Sequence, residues 1–311
     1  MDRLRGLATF GSTLADAGEL EDIVDVALRA IDEIFGFRHV LMMLRQTESD
    51  RLTTIASRGY DVIGIGSEVR IGEGVIGTVA ASRQPMRIGN LQRMLAYVRT
   101  IRQMAEGGDA ATSIALPGLA NARSQLAAPM VAGGALLGVV AVESERAFAF
   151  DEHDQLVLTV ISQLVAAALE RAHLVETVET DTPDDLAAHV DAPPARAAQP
   201  ERPPAHVRHY ANDGSTFIDG EYVIKGVAGR LLWKLAGEQT TAGRRSHTNR
   251  EARRDATLDM PSFRDNFESR LVLLKRRLEE RDAPLRIHRT GRGRFDVEVL
   301  GPLRLERIDA P

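Results

Sequence analysis

PSFRDNFESRLVLLKRRLEERDAPLRIHRTGRGRFDVEV, residues 261–299, reads as one basic amphipathic helix followed by a hairpin. Phe263, Phe267, Leu271, Leu274 and Leu278 recur at spacings of four, four, three and four, which places them on one apolar stripe. Arg264, Arg270, Lys275, Arg276 and Arg277 lie off that stripe and are expected to face outward. Leu285, Ile287, Phe295, Val297 and Val299 alternate around the tip Thr290-Gly291-Arg292-Gly293-Arg294, as in a β-hairpin. A helix buried on one side and cationic on the other, beside an arginine-tipped loop, is a shape with which a small domain grips duplex DNA.

The rest of the chain is of another character. Residues 221–311 hold 20 Lys+Arg against 14 Asp+Glu, a balance of +6, whereas residues 1–220 hold 19 against 30, or −11. Such asymmetry fits a nucleic-acid-binding part joined to something else. Between them, residues 180–204 carry six prolines (Pro183, Pro193, Pro194, Pro200, Pro203 and Pro204) among Ala, Asp and Glu. That stretch has too little apolar surface to offset its ordering entropy and reads as a flexible linker between domains at 1–179 and 205–311. Cysteine is absent, which excludes disulfides, thiolate metal sites and cysteine nucleophiles. The first residues lack the apolar core of a signal peptide and no run of about eighteen apolar residues occurs, so a cytoplasmic protein without a membrane partner is expected.

Residues 1–179 alternate helix and strand signals. Leu4, Leu7, Phe10 and Leu14 fit a first helix; Leu20, Ile23, Val24, Ala27, Ile31 and Ile34 fit a second that ends near Gly36. Residues 40–44 and 52–57 read as antiparallel strands, and Gly72-Glu73-Gly74 as a turn opening a helix over 75–82. A short strand over 86–88, a helix over 91–104 and a long irregular loop over 107–123 follow. Residues 125–131 and 138–143 pair around Ala132-Gly133-Gly134, and a last helix spans 151–178 with Asp151 as its N-cap. That helix carries two apolar stripes, one through Val157, Ile161, Leu164, Ala168, Val175 and Val178 with Arg171 at its one polar place, the other through Leu158, Ile161, Val165, Ala168, Ala172 and Val175. The second stripe points to a partner helix from an identical subunit, hence a homodimer through 151–178.

GEGVIGTVAASRQPMRIGNL (72–91), SQLAAPMVAGGALLGVVAVES (124–144) and FAFDEHDQLVLTVISQLVAAALE (148–170) resemble the GAF domain family over about residues 1–175. The resemblance implies an antiparallel sheet with helices, a small-molecule sensing role and dimerisation through terminal helices. The cofactor is left unknown, but without cysteine a covalently attached bilin and an iron–sulfur cluster are excluded. His39, His153 and His173 are the soft ligands that remain for haem or metal, and each reads first as structural or surface; no metal site is assigned. A ligand pocket is expected between the sheet and the 91–123 segment. Its lining candidates are Met42, Leu44, Val75, Val79, Tyr97, Met104, Leu126, Met130 and Val139, with Arg99, Arg102 and Arg123 in reach of an anionic ligand.

In residues 205–311, short strands divided by Asn212-Asp213-Gly214 and Asp219-Gly220 precede a helix over 227–235. Thr248 and Glu251 form a capping-box signature for a second helix, and the basic helix and hairpin complete the order. FIDGEYVIKGVAGRLLWKL, the leucine-and-basic run 274–280 and the Gly-rich tip resemble the winged helix-turn-helix effector domain of OmpR-like response regulators. The fold class is therefore α+β, a GAF domain followed by a winged helix-turn-helix. By that resemblance Asn266, Ser269 and Arg270 would face bases, Arg264, Lys275 and Arg277 would meet phosphates, and Arg292 and Arg294 would form the wing. Asp265 and Glu268 depart from it, since acids repel phosphates.

Two functions of different kinds follow. One is a dimeric transcriptional regulator whose GAF domain senses a small-molecule effector and whose winged helix binds duplex DNA. The alternative is a signalling adaptor whose winged helix docks a protein such as RNA polymerase, a reading that Asp265 and Glu268 favour. No metal-ligand spacing, nucleophile elbow or P-loop is visible, so catalysis is not expected.

Overall fold

The computed structural model describes residues 3–46, 49–91, 114–181, 203–260 and 267–309. They form two compact units, Met1–His173 and Leu174–Pro311. The expected linker falls almost wholly outside the described residues, as do the expected helix over 91–104 and the first four residues of the basic helix's apolar and cationic pattern, 263–266.

The first unit opens with α1 (Arg3–Asp16) and α2 (Leu20–Glu33). In α2 the expected periodicity is realised, with Leu20, Ile23, Val24, Ala27 and Ile31 buried. In α1 Phe10 and Leu14 are buried but Leu4 is 74% exposed. Six strands follow: β1 (His39–Arg45), β2 (Arg51–Arg58), β3 (Glu68–Arg70), β4 (Met86–Ile88), β5 (Ser124–Ala132) and β6 (Ala135–Ser144). They form one antiparallel sheet in the order β3-β2-β1-β6-β5-β4. Helix α3 (Gly74–Ser82) lies between β3 and β4 in sequence.

Both faces of this sheet are buried, as the unbroken apolar runs of its central strands require. On one face Leu41, Met43, Ala127, Val139 and Ala141 join Val75, Ile76 and Val79 of α3 in a single cluster. Strand alternation sends Val40, Met42, Leu126, Ala128, Met130, Val140 and Val142 to the other face, where they are equally buried. At Gly138 the strands and the Met130 side chain close in so tightly that a Cβ would fall 2.1 Å from the Met43 carbonyl oxygen. Only glycine fits there.

Helix α4 (Glu152–Asp181) closes the unit. Asp151 caps it as expected: its Oδ1 accepts the Asp154 N–H at 2.8 Å, and Asp154 Oδ2 accepts the Asp151 N–H at 2.8 Å. The backbone N–H of Asp154 holds the Asp151 carboxyl below its usual range. Arg3 pairs with Asp154 at 2.6 Å, and Arg171 donates to the carbonyls of Leu14 and Ala17 at 3.3 and 2.7 Å, so α1 and α4 are clasped at both ends. Of the two apolar stripes of α4, Val157, Leu158, Ile161, Val165, Ala168 and Ala172 are buried, whereas Leu164 and Val175 are half-buried. The buried members form one wide inward face, so they do not by themselves require a partner helix. Leu156 and Val160 remain exposed, at 59% and 42%. From Glu152 to Glu176 the helix is long and apolar enough to cross a membrane, and half of that stretch is buried.

The second unit has two sheets. Strands β7 (Ala205–Tyr210), β8 (Thr216–Ile218), β9 (Glu221–Ile224) and β13 (Leu303–Ile308) make one, in the order β13-β7-β8-β9, with β13 parallel to β7. Strands β10 (Ser246–Thr248), β11 (Leu285–Gly291) and β12 (Arg294–Val299) make the other, in the order β10-β12-β11. The helices are α5 (Gly226–Ala242), α6 (Asn249–Arg254) and α7 (Phe267–Glu280). The capping box at α6 forms as read, Thr248 accepting the Glu251 N–H and Glu251 accepting that of Thr248. In α7 Phe267, Leu271, Leu274 and Leu278 are buried along the expected stripe.

Candidate functional site

In the first unit, strand register builds a polar row above an apolar floor. His39 of β1 stands opposite Glu143 of β6, and Glu143 stands opposite Gln125 of β5. Two residues further along, the same strands present Leu41, Ala141 and Ala127 to the α3 cluster, so the row shares that face. Glu143 is partly buried; its Oε2 accepts the Leu119 N–H at 2.9 Å and its Oε1 accepts from Gln125 Nε2 at 3.1 Å. Burial pushes its carboxyl above the usual range, and the Leu119 N–H opposes that shift. The Tyr60 ring lies 5.7 Å from that of His39, and its buried hydroxyl has no hydrogen-bond partner among the described residues. Burial, and next the charge of Glu143, push the Tyr60 phenol up.

Residues 114–119 run past this end of the sheet. They pass so close to Gly64 (φ +65°) that a Cβ there would lie 2.6 Å from the Ala115 carbonyl oxygen and 2.6 Å from Pro117 Cδ. Val62, Ile63 and Leu116 are exposed by 51%, 43% and 43% around it. An apolar floor, a polar row and a partly apolar rim suit a small molecule with one polar end.

The residues expected to line one pocket are divided by the pleat. Val75, Val79 and Val139 belong to the α3 face, with the polar row. Met42, Leu44, Leu126 and Met130 point to the opposite face, because each is an odd step from Leu41, Met43 or Ala127 in its strand. Tyr97, Met104, Arg99 and Arg102 lie outside the described residues, and Arg123 is exposed. Glu143, Gln125 and Tyr60 were not legible as a site. Their only signal was a polar residue at the end of each of two apolar strands. Among the described residues no group of three or more His, Asp or Glu is placed to hold a metal ion.

Replacing Glu143 by glutamine is expected to leave the fold intact and to raise its thermal midpoint at pH 7. The folded-state pKa of Glu143 is raised, so its contribution to stability is fullest below the unfolded carboxyl pKa and is lost as pH rises through the folded one. The advantage of Glu143→Gln over the wild type should therefore shrink as pH falls into the carboxylate range. A pH series of melting curves checks this; a lower midpoint for the variant at pH 7 would contradict it.

In the second unit, the hairpin tip and α6 share one end. The Asn249 N–H donates to the Gly293 carbonyl at 2.8 Å, and Thr248 stands opposite Arg294 across β10 and β12. Arg292 and Arg294 are exposed at the tip; Arg245, just before β10, and Arg254, at the end of α6, are exposed too. Those last two were missed, although the run NREARR, which ends at Arg254, carried a basic signal.

Helix α7 differs from its reading. Arg277, expected to meet phosphates, is buried: its Nε donates to the Val223 carbonyl at 2.9 Å, its Nη2 to the Tyr222 carbonyl at 3.4 Å, and its Nη1 pairs with Glu280 at 2.6 Å. Glu268 is buried too, in an ion pair with Arg289 at 2.5 Å. Ser269, Arg270, Lys275 and Arg276 are partly buried. Arg264, Asp265 and Asn266 lie outside the described residues.

The GAF domain family matches residues 17–170. Among solved structures, the free methionine-R-sulfoxide reductase from Neisseria meningitidis with its substrate is 22% identical, covering 56% of this chain and 91% of that one at a TM-score of 0.43. The GAF domain of an Acinetobacter phosphoenolpyruvate-protein phosphotransferase is 18% identical, covering 55% and 95% at 0.46. A methyl-accepting chemotaxis protein, residues 122 to 287, is 18% identical, covering 54% and 98% at 0.43. No curated protein matches the chain. The matched span takes in the six-stranded sheet, α2, α3, the polar row and most of α4: residues 17–170 are a GAF domain, a fold of small-molecule sensing and signalling.

Proposed function

We propose that this chain is a cytoplasmic, ligand-responsive transcriptional regulator rather than an enzyme. Its GAF domain binds a small-molecule effector and its second unit binds duplex DNA as a winged helix. The observation that carries the DNA reading is the second unit's order of elements. Helix α5, strand β10, helices α6 and α7 and the hairpin β11–β12 follow in turn, with β10 closing a three-stranded sheet on that hairpin. This order supports the reading as a winged helix-turn-helix, and the hairpin tip carries exposed Arg292 and Arg294.

The alternative, a docking module for a protein such as RNA polymerase, drew on the acids of α7. Glu268 is turned inward to Arg289, so it does not confront a phosphate. This favours DNA. Dimerisation is retained in the proposal on other grounds: Leu156 and Val160 of α4 and Leu4 of α1 are exposed on two helices that the Arg3–Asp154 pair holds together.

Fluorescence anisotropy of the full chain with a random duplex pool tests the DNA reading. Binding should fall steeply with salt. Arg292→Ala and Arg294→Ala should each weaken it about threefold to tenfold and lower the salt slope by about 1. Absence of binding at low salt, or binding indifferent to both changes, would sink the proposal.

A further inference from the structure

Glu143 carries a carboxylate with no cationic partner among the described residues. Its hydrogen bonds come from one backbone N–H and one amide, at 2.9 and 3.1 Å. Neutral donors support a carboxylate more weakly than a cation in the same place. Beside it lies the buried Tyr60 hydroxyl, which can turn its proton toward Glu143 and keeps its own oxygen lone pairs free. The carboxylate and the phenol oxygen can together accept from an ammonium group, which offers three donors and no acceptor. An anionic ligand would meet like charge at this spot. Leu41, Ala141 and Ala127 close the floor below it, while Val62, Ile63 and Leu116 stay exposed at the rim, so the site is cation-seeking at one end and hydrocarbon-like at the other.

We propose that the GAF domain takes a small amphipathic amine, whose ammonium pairs with Glu143 and the Tyr60 hydroxyl and whose aliphatic end lies on the exposed apolar rim of Val62, Ile63 and Leu116. This rests on the reading of the domain as a ligand-binding module and narrows the class of ligand. The row His39–Glu143–Gln125 sets the depth at which the ammonium sits, because the three strands bring those residues to one level.

Ligand-observed saturation-transfer NMR on the full chain at neutral pH tests it with two probes of equal length, n-butylammonium chloride and 1-butanol. The ammonium should bind about tenfold more tightly than the alcohol, the scale of one charged hydrogen-bonded pair. Glu143→Gln should erase that preference while leaving the weak binding common to both probes. Tyr60→Phe, which keeps the ring, should reduce the preference about threefold. Equal binding of the two probes by the wild type, or a preference that survives Glu143→Gln, overturns the amine assignment and leaves the domain a ligand binder. Binding of neither probe counts against ligand binding at this face altogether. The wild-type comparison decides the matter even if a variant fails to fold.

Discussion

Arg277→Ala is expected to destabilise the second unit by about 3–5 kcal/mol, the usual consequence of removing one member of a buried ion pair. The guanidinium joins α7 to β9 through the carbonyls of Val223 and Tyr222 and holds Glu280 at its third edge. Its loss takes a donor from two carbonyls and a cation from Glu280, whose side chain is only 15% exposed. The chain has one tryptophan, Trp233 of α5, stacked on His209 at 5.3 Å. Its fluorescence during urea unfolding therefore reports the second unit alone. Glu279, exposed on the same helix, provides the control, and Glu279→Ala should change stability by less than about 0.5 kcal/mol. A similarly small loss for Arg277→Ala would mean that this arginine faces water, as its place off the apolar stripe first indicated.

The second large effect is expected at Glu268. Its carboxylate, with 6% of the side chain exposed, pairs with Arg289 of β11, whose side chain is 17% exposed. Glu268→Ala removes the carboxylate that faces the largely buried Arg289 and should cost about 3 kcal/mol. Arg289→Ala should cost a similar amount. The double variant should lose less than the sum of the two single ones, because each single change already removes the ion pair they share. The same Trp233 readout measures all three. Additive losses would show that the two side chains act independently.

These two residues mark how far a helical pattern can be read. The apolar period of α7 names the residues that must be inside: Phe267, Leu271, Leu274 and Leu278 are buried as the spacing requires. It does not say that every other residue is outside. Arg277 and Glu268 sit on the flanks of the stripe, and strands β9 and β11 reach them there with a carbonyl pair and an arginine. A charged residue flanking a stripe looks the same in sequence whether it meets water or a buried partner. The same limit holds for α4, where buried members of both stripes share one inward face.

Much of the local structure was legible because it is set within a few residues. The capping box of Thr248 and Glu251, the Asp151 cap, the helix spacing of α2 and the hairpin alternation of β11 and β12 are contacts between near neighbours in the chain. The exclusion of thiol chemistry needed only composition. The GAF resemblance was local in another way, carried by three continuous stretches that fall within the matched span of 17–170.

What tertiary structure alone decided is every pairing between distant segments. Strand β13 pairs in parallel with β7 across almost the whole second unit, Leu303 against Ala205, and nothing local to either strand announces it. Register placed His39, Glu143 and Gln125 in one row, and a slip of one residue in any of the three strands would send its member to the opposite face. The pleat likewise separated Met42, Leu44, Leu126 and Met130 from Val75, Val79 and Val139, which sequence had grouped as one lining. Periodicity is encoded by each segment for itself; which face meets which partner is settled only when the segments pack, because the free energy of that choice belongs to both of them.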